Sequence, residues 1–154
     1  MPQLVKGGKY VFGWSKVSKE GRIRLPLEAI EEYQLNPNDK VFVIRGSKTS
    51  GGFSVIKEMV FLNSSLATAL KRNSSSASLD IEKNITLPFG KRMICWTKIK
   101  DVSIHLPLDT LEKFGVMPGN HLLSVRGSGL GVGLIVRGSI IEEAKKHPEL
   151  ILWQ

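Results

Sequence analysis

The chain has 154 residues, 42% of them hydrophobic, which suits one compact domain or two very small ones sharing a packed core. No apolar run approaches the roughly 20 residues of a bilayer-crossing helix, and residues 1–8 are too short and polar for a secretory core. The lone Cys95 makes neither an intramolecular disulfide nor a thiolate metal cluster, so a cytoplasmic protein without a membrane span is expected.

In chain order, Trp14 to Lys19 alternates as a half-buried strand. Glu20-Gly21 offers a tight turn, and Arg22 to Leu25 resumes with Ile23 and Leu25 on one face and Arg22 and Arg24 together on the other. Pro26 fixes a helix start, Glu28 favours the positive end of the helix dipole, and Leu27, Ile30 and Tyr33 form its apolar stripe as far as Gln34. Asn36-Pro37-Asn38-Asp39 is turn chemistry, followed by a strand over Val41 to Arg45, a flexible hairpin connection from Gly46 to Gly52 and a strand over Phe53 to Ile56. Met59 to Leu70 has helical spacing, and Lys71 to Ser78 is a Ser-rich linker.

The same script then returns. Cys95 to Lys100 is a strand, Asp101-Val102 a turn, Leu108 to Phe114 a helix, Met117 to Asn120 a turn, and Leu122 to Arg126 and Leu134 to Arg137 are strands. Ser139-Ile-Ile-Glu142 matches a capping box opening a helix that stops before Pro148, and Ile151 to Trp153 returns apolar weight to the body. At an offset of 81, Ile23 to Val55 lies on Ile104 to Val136 without a gap, with 11 of 33 positions identical. Ile-x-Leu-Pro-Leu, Pro37 over Pro118 and Arg45-Gly-Ser over Arg126-Gly-Ser carry the match. Internal repetition of this kind implies two related units, and neither could bury its apolar face alone. The expected divisions are 1–58, a first ββαββ unit; 59–90, helix and linker; 91–138, a second unit; and 139–154, a terminal helix and tail. Together the two units are expected to close one barrel.

The net charge of +8 is concentrated. Residues 1–27 carry Lys6, Lys9, Lys16, Lys19, Arg22 and Arg24 against Glu20, and residues 91–108 carry Lys91, Arg92, Lys98 and Lys100 against Asp101. These windows hold the whole excess, and a basic surface attracts polyanions.

The run Lys16-Val-Ser-Lys-Glu-Gly-Arg-Ile-Arg-Leu-Pro-Leu-Glu, then a short helix and Leu-Asn-Pro-Asn-Asp-Lys-Val-Phe-Val, closely resembles the AbrB/MazE/SpoVT swapped-hairpin family of transition-state regulators and antitoxins. The first unit matches over Trp14 to Ile56 and the second, more weakly, over Trp96 to Arg137. The resemblance implies a mainly β fold with short helices: a swapped-hairpin, double-psi-like β-barrel in which one chain supplies both ββαββ repeats as a pseudo-dimer. It also implies a transcriptional regulator that binds double-stranded DNA through the basic hairpins. The implied DNA-binding residues are Lys16, Lys19, Arg22, Arg24, Lys98 and Lys100. The family's helix arginines are replaced here by Ile30 and Glu31, repeated as Leu111 and Glu112, and Ser103 and His105 stand where Arg22 and Arg24 would recur. The alternative is a barrel that no longer binds DNA and serves protein interaction or a small ligand. A homodimer is compatible with the apolar helices; a cognate toxin fits the family, but no residue indicates one.

Catalysis needs a constellation that the chain lacks. His105, His121 and His147 are scattered without carboxylates at ligand spacing, so neither enzyme activity nor a metal or other cofactor is expected. Gly127-Ser-Gly-Leu-Gly-Val-Gly resembles a phosphate loop, but a strand follows it instead of a helix, so it reads as a hairpin turn. Trp14 and Trp96 read as barrel-packing aromatics and Cys95 as a small core residue.

Overall fold

The computed structural model describes residues 2–68, 82–127 and 129–154. The Ser-rich stretch 71–78, the end of the helix expected over 59–70, and Ser128 lie outside them. The fold is mainly β with short helices. Among the described residues ten strands are formed: β1 Val11–Lys16, β2 Arg22–Arg24, β3 Lys40–Arg45, β4 Phe53–Lys57, β5 Leu87–Phe89, β6 Arg92–Lys98, β7 Ser103–His105, β8 His121–Arg126, β9 Gly131–Ile135 and β10 Leu152–Trp153. Among the described residues the helices are α1 Leu27–Tyr33, α2 Glu58–Leu62, α3 Leu108–Lys113 and α4 Ser139–Ala144, with residues 65–68 also helical.

Local chemistry sets the elements. Pro26 and Pro107 cap α1 and α3 from extended backbone, their fixed φ values of −60° and −56° leading into the first turn. The loops after both helices close alike, with the Asn36 amide donating to Asp39 Oδ2 at 2.9 Å and the Met117 amide to Asn120 Oδ1 at 2.8 Å. The stripe of α1 is rotated from expectation: Ala29 is buried and Ile30 and Tyr33 pack on the core, while Leu27 at the helix start faces solvent. The capping box at Ser139 is not formed, because Gly138, in the left-handed half of backbone space, takes the cap position and no side chain bonds there.

The strand pairing crosses between the two sequence halves. β1 pairs antiparallel with β8, and β6 with β3, in matching register: Trp14 faces Leu123 as Trp96 faces Phe42, and Lys16 faces His121 as Lys98 faces Lys40. β4 and β9 meet antiparallel with Ser54 opposite Gly133 at the midpoint. The fourth strand of the second half starts three residues earlier than the gapless alignment places it. Arg126 pairs with Val132 as Arg45 pairs with Phe53, so its hairpin loop is two residues shorter.

The sheet order is β10-β1-β8-β9-β4-β3-β6-β5, and it is open. The expected closure into one hydrogen-bonded cylinder is not observed. At the ends of β1 and β6 the backbone turns away from the sheet, and a separate two-stranded ribbon, β2·β7, spans the space between them. The outer edges are short strands, β5 carrying Pro88 and β10 only two residues long, which limits their use as templates for further pairing.

The main core draws on both halves at once: Val17, Ile23, Leu25, Val43 and Phe53 pack with Cys95, Ile104, Leu106, Phe114 and Leu134. Each fully buried side chain of this size contributes about 1.5–3 kcal/mol. Two smaller clusters lie outside it. One, with Phe42 stacked on Phe61 at 4.4 Å, is covered by α2; the other, around Leu123 and Val125, is covered by α4. Trp96 and Trp14 pack against these outer clusters and not against the main interior.

Candidate nucleic-acid interface

The β2·β7 ribbon organises the basic residues. Ile23 faces Ile104 across it and both are fully buried. Strand alternation then turns Arg22, Arg24, Ser103 and His105 to the opposite, outer side. Arg22 lies opposite His105 and both are exposed; Arg24 lies opposite Ser103. Arg22 Nη1 donates to Ser103 Oγ at 3.3 Å, so the residue replacing its counterpart becomes its support.

A basic turn sits at each end of the ribbon. In the first, the Ser18 amide donates to Arg22 O at 2.9 Å, the Arg22 amide donates to Ser18 Oγ at 2.9 Å, and Gly21 holds φ +86°. A Cβ on Gly21 would collide with the Leu106 carbonyl, so only glycine lets the two strands approach. The second turn is shorter, with Lys100 and Ser103 exchanging backbone bonds at 2.8 and 3.0 Å around Asp101 in left-handed conformation. The Leu106 amide reaches Gly21 O, and the Leu25 amide reaches Val102 O, locking ribbon to turns.

Of the six expected contact residues, Lys16, Lys19 and Arg22 line one open cleft of about 420 Å³, together with Glu20 and Gln154. Lys100 bears on the ribbon through His105. Burial, then Lys100 and Arg22, hold the pKa of that imidazole below its ordinary value, while Glu20 opposes them. Lys98 is exposed at the end of β6, opposite Lys40, which pairs with Glu58 at 3.1 Å and lies 4.4 Å above the Trp96 ring. Arg24 departs from expectation. It is half-buried, 5.5 Å from the Trp153 ring centre, and its Nη1 donates to Gln154 O at 3.2 Å. The tail is itself fixed by Trp153 Nε1 donating to Phe12 O at 3.2 Å.

Sequence reasoning missed His121, exposed opposite Lys16, and Lys83, whose charge also reaches His105. Nothing in the linker's composition pointed to Lys83. The two basic windows, moreover, are divided in space. Arg92 begins β6 and Lys91 precedes it at the end far from the ribbon, about 20 Å from Lys98 along an extended strand, and Lys91 O accepts from Arg45 Nη2 at 3.0 Å. Lys9 likewise precedes Tyr10, whose carbonyl accepts from the Arg126 amide at that same far end.

Cys95 is buried in the core, and desolvation raises its thiol pKa to about 12. Among the described residues no group of three His, Cys, Asp or Glu side chains is placed to hold a metal, and no helix is long and apolar enough to cross a membrane. No family model matches the chain, and no curated protein or solved structure matches it.

Proposed function

We propose that the chain is a cytoplasmic DNA-binding regulator of the AbrB/MazE/SpoVT swapped-hairpin type, in which two duplicated ββαββ halves of one polypeptide form a barrel-like body. The observation that carries this reading is the cross-paired β2·β7 ribbon, with Arg22 and His105 exposed on one face and a lysine-bearing turn at each end. A two-stranded ribbon is narrow enough to enter the major groove of B-DNA, where a guanidinium can grip guanine in bidentate fashion. Lys16, Lys19, Lys98 and Lys100 are suited to phosphates on either side, fixing register without reading sequence. The exchange of first strands between halves, each pairing with the other half's third strand, supports the swapped-hairpin reading.

Arg24 favours a narrower role than its sequence position implied, because the C-terminal tail already occupies its guanidinium. This engagement also supports the second reading, a protein-interaction or small-ligand module. Titration of the full chain with labelled duplex at two salt concentrations separates the two. A DNA binder is expected to lose about 10- to 100-fold in affinity on Arg22→Ala, with the salt slope falling by about one, and to lose less on Arg24→Ala. No binding in low salt would end the DNA reading.

A further inference from the structure

The β3–β4 and β8–β9 hairpin tips, which follow Arg45 and Arg126 and which the ribbon does not use, lie at the far end of the sheet, and they are chemically unlike. At the β8–β9 tip, Arg126 Nε donates to Glu32 Oε2 at 3.1 Å, Arg126 Nη2 pairs with Glu32 Oε1, and the guanidinium lies 5.2 Å from the Tyr10 ring centre. Arg45 is the counterpart of Arg126 by strand register, and Lys113 is the counterpart of Glu32 by the 81-residue offset. Where one tip closes on an ion pair, the other brings two cations to one cleft.

That cleft, of about 230 Å³, is lined by Arg45, Ser47, Lys48, Lys113 and Arg137, with Glu112 its one carboxylate among the described residues. A second cleft of about 300 Å³ shares the wall from Arg45 to Lys48 and adds Lys91 and Arg92. Six cations thus border two adjoining recesses. Three of them are positioned by neutral oxygens: Arg45 on Lys91 O, Arg137 Nε and Nη2 on Lys48 O at 3.1 and 3.0 Å, and Lys113 on Thr86 Oγ1 at 3.2 Å. Gly51, at φ +64°, allows Arg137 to fold over the hairpin: a Cβ there would lie 3.2 Å from Arg137 Nη1. Bonding to neutral oxygens orients Arg45, Arg137 and Lys113 without cancelling their charge.

We infer that the β3–β4 tip is an anion site for a small phosphorylated molecule bearing two adjacent phosphates, one in each recess against the shared Arg45–Lys48 wall. Arg and Lys together suit phosphate, the first by its planar fork and the second as a point charge. The site is independent of the DNA reading, since it lies at the other end of the sheet and shares no residue with the ribbon.

Isothermal titration of the full chain with inorganic pyrophosphate at low salt tests it. Lys113→Glu copies Glu32 into the open tip and should weaken binding about 10- to 100-fold, as should Arg45→Gln. Lys145→Glu changes net charge equally, at the C-cap of α4, and should leave affinity unchanged. Failure of the unmodified chain to bind pyrophosphate, or equal weakening by Lys145→Glu, overturns the site. Duplex DNA that displaces pyrophosphate, and itself binds less tightly to the Lys113→Glu chain, overturns the small-ligand assignment in favour of nucleic-acid phosphate at the tip.

Discussion

The two hairpin tips start from arginines at matching strand ends, yet Glu32 neutralises Arg126 while further cations gather around Arg45. One source of the difference is a place at the end of a helix, glutamate in α1 and lysine in α3, to which Lys48, Lys91, Arg92 and Arg137 add further charge at the open tip. The strand register therefore tolerates either sign at the helix end, and the tips differ in side-chain charge as well as in loop length. The ribbon repeats the lesson, for Arg22 and Ser103 hold corresponding places, and the serine serves the arginine across the strand pair. Pairing and packing keep the two halves alike while charge separates them.

The largest expected effect tests the part of that statement about likeness. Gly52 and Gly131 hold corresponding places beside the β4·β9 seam, their carbonyls accepting from Gly46 and Gly127 at 2.9 and 3.2 Å. A Cβ on Gly52 would fall on the Leu134 carbonyl, and one on Gly131 on the Val55 carbonyl. Alanine at either position should destabilise the fold by about 3–5 kcal/mol, read as a drop in thermal or urea midpoint. A large loss at one position with a small loss at the other would break the equivalence of the halves at their seam.

How much of this was legible follows from the same contrast. Apolar alternation and proline placement specify Ile23, Leu25, Pro26 and their counterparts, so the strands, helix starts and shared interior could be anticipated from sequence. Loop length could not, because Gly52 matches Gly133 in a gapless alignment although Gly131 does its structural work. Charge was legible as a quantity and misread as a place. Lys91 and Lys98 are seven residues apart and read as one basic window, but an extended strand carries them to opposite ends of the sheet. Arg24 was misplaced for another reason: what engages it is a tail more than a hundred residues later, beyond the reach of local pattern.

A smaller effect sharpens the comparison at the helix ends. Gln34 closes α1 in left-handed conformation at φ 51°, and at the corresponding place after α3 the chain uses Gly115 at φ 72°. A side chain in that region costs about 1 kcal/mol that glycine avoids. Lys57 Nζ reaches the carbonyl of Gln34, which glycine retains. Gln34→Gly should therefore raise stability by up to about 1 kcal/mol in urea unfolding, while Gly115→Gln should lower it by a similar amount. Loss of stability in both variants would mean that the Gln34 side chain contributes more than its backbone strain.

The smallest expected effect concerns His105, which stands where the first half has Arg24. Its folded-state pKa lies below the ordinary value because burial, Lys100 and Arg22 all disfavour the imidazolium. The unfolded chain therefore binds more protons, and stability should decline as pH falls through the ordinary histidine range of about 6.5. Phosphate on the ribbon would reverse the sign of the local field and raise that pKa, so binding would take up a proton. Duplex affinity should then increase severalfold on acidification through the same range even as the free protein becomes less stable, and His105→Gln should flatten the affinity profile. An affinity that is independent of pH in the unmodified chain would place the DNA away from His105, and with it away from the ribbon face that His105 shares with Arg22.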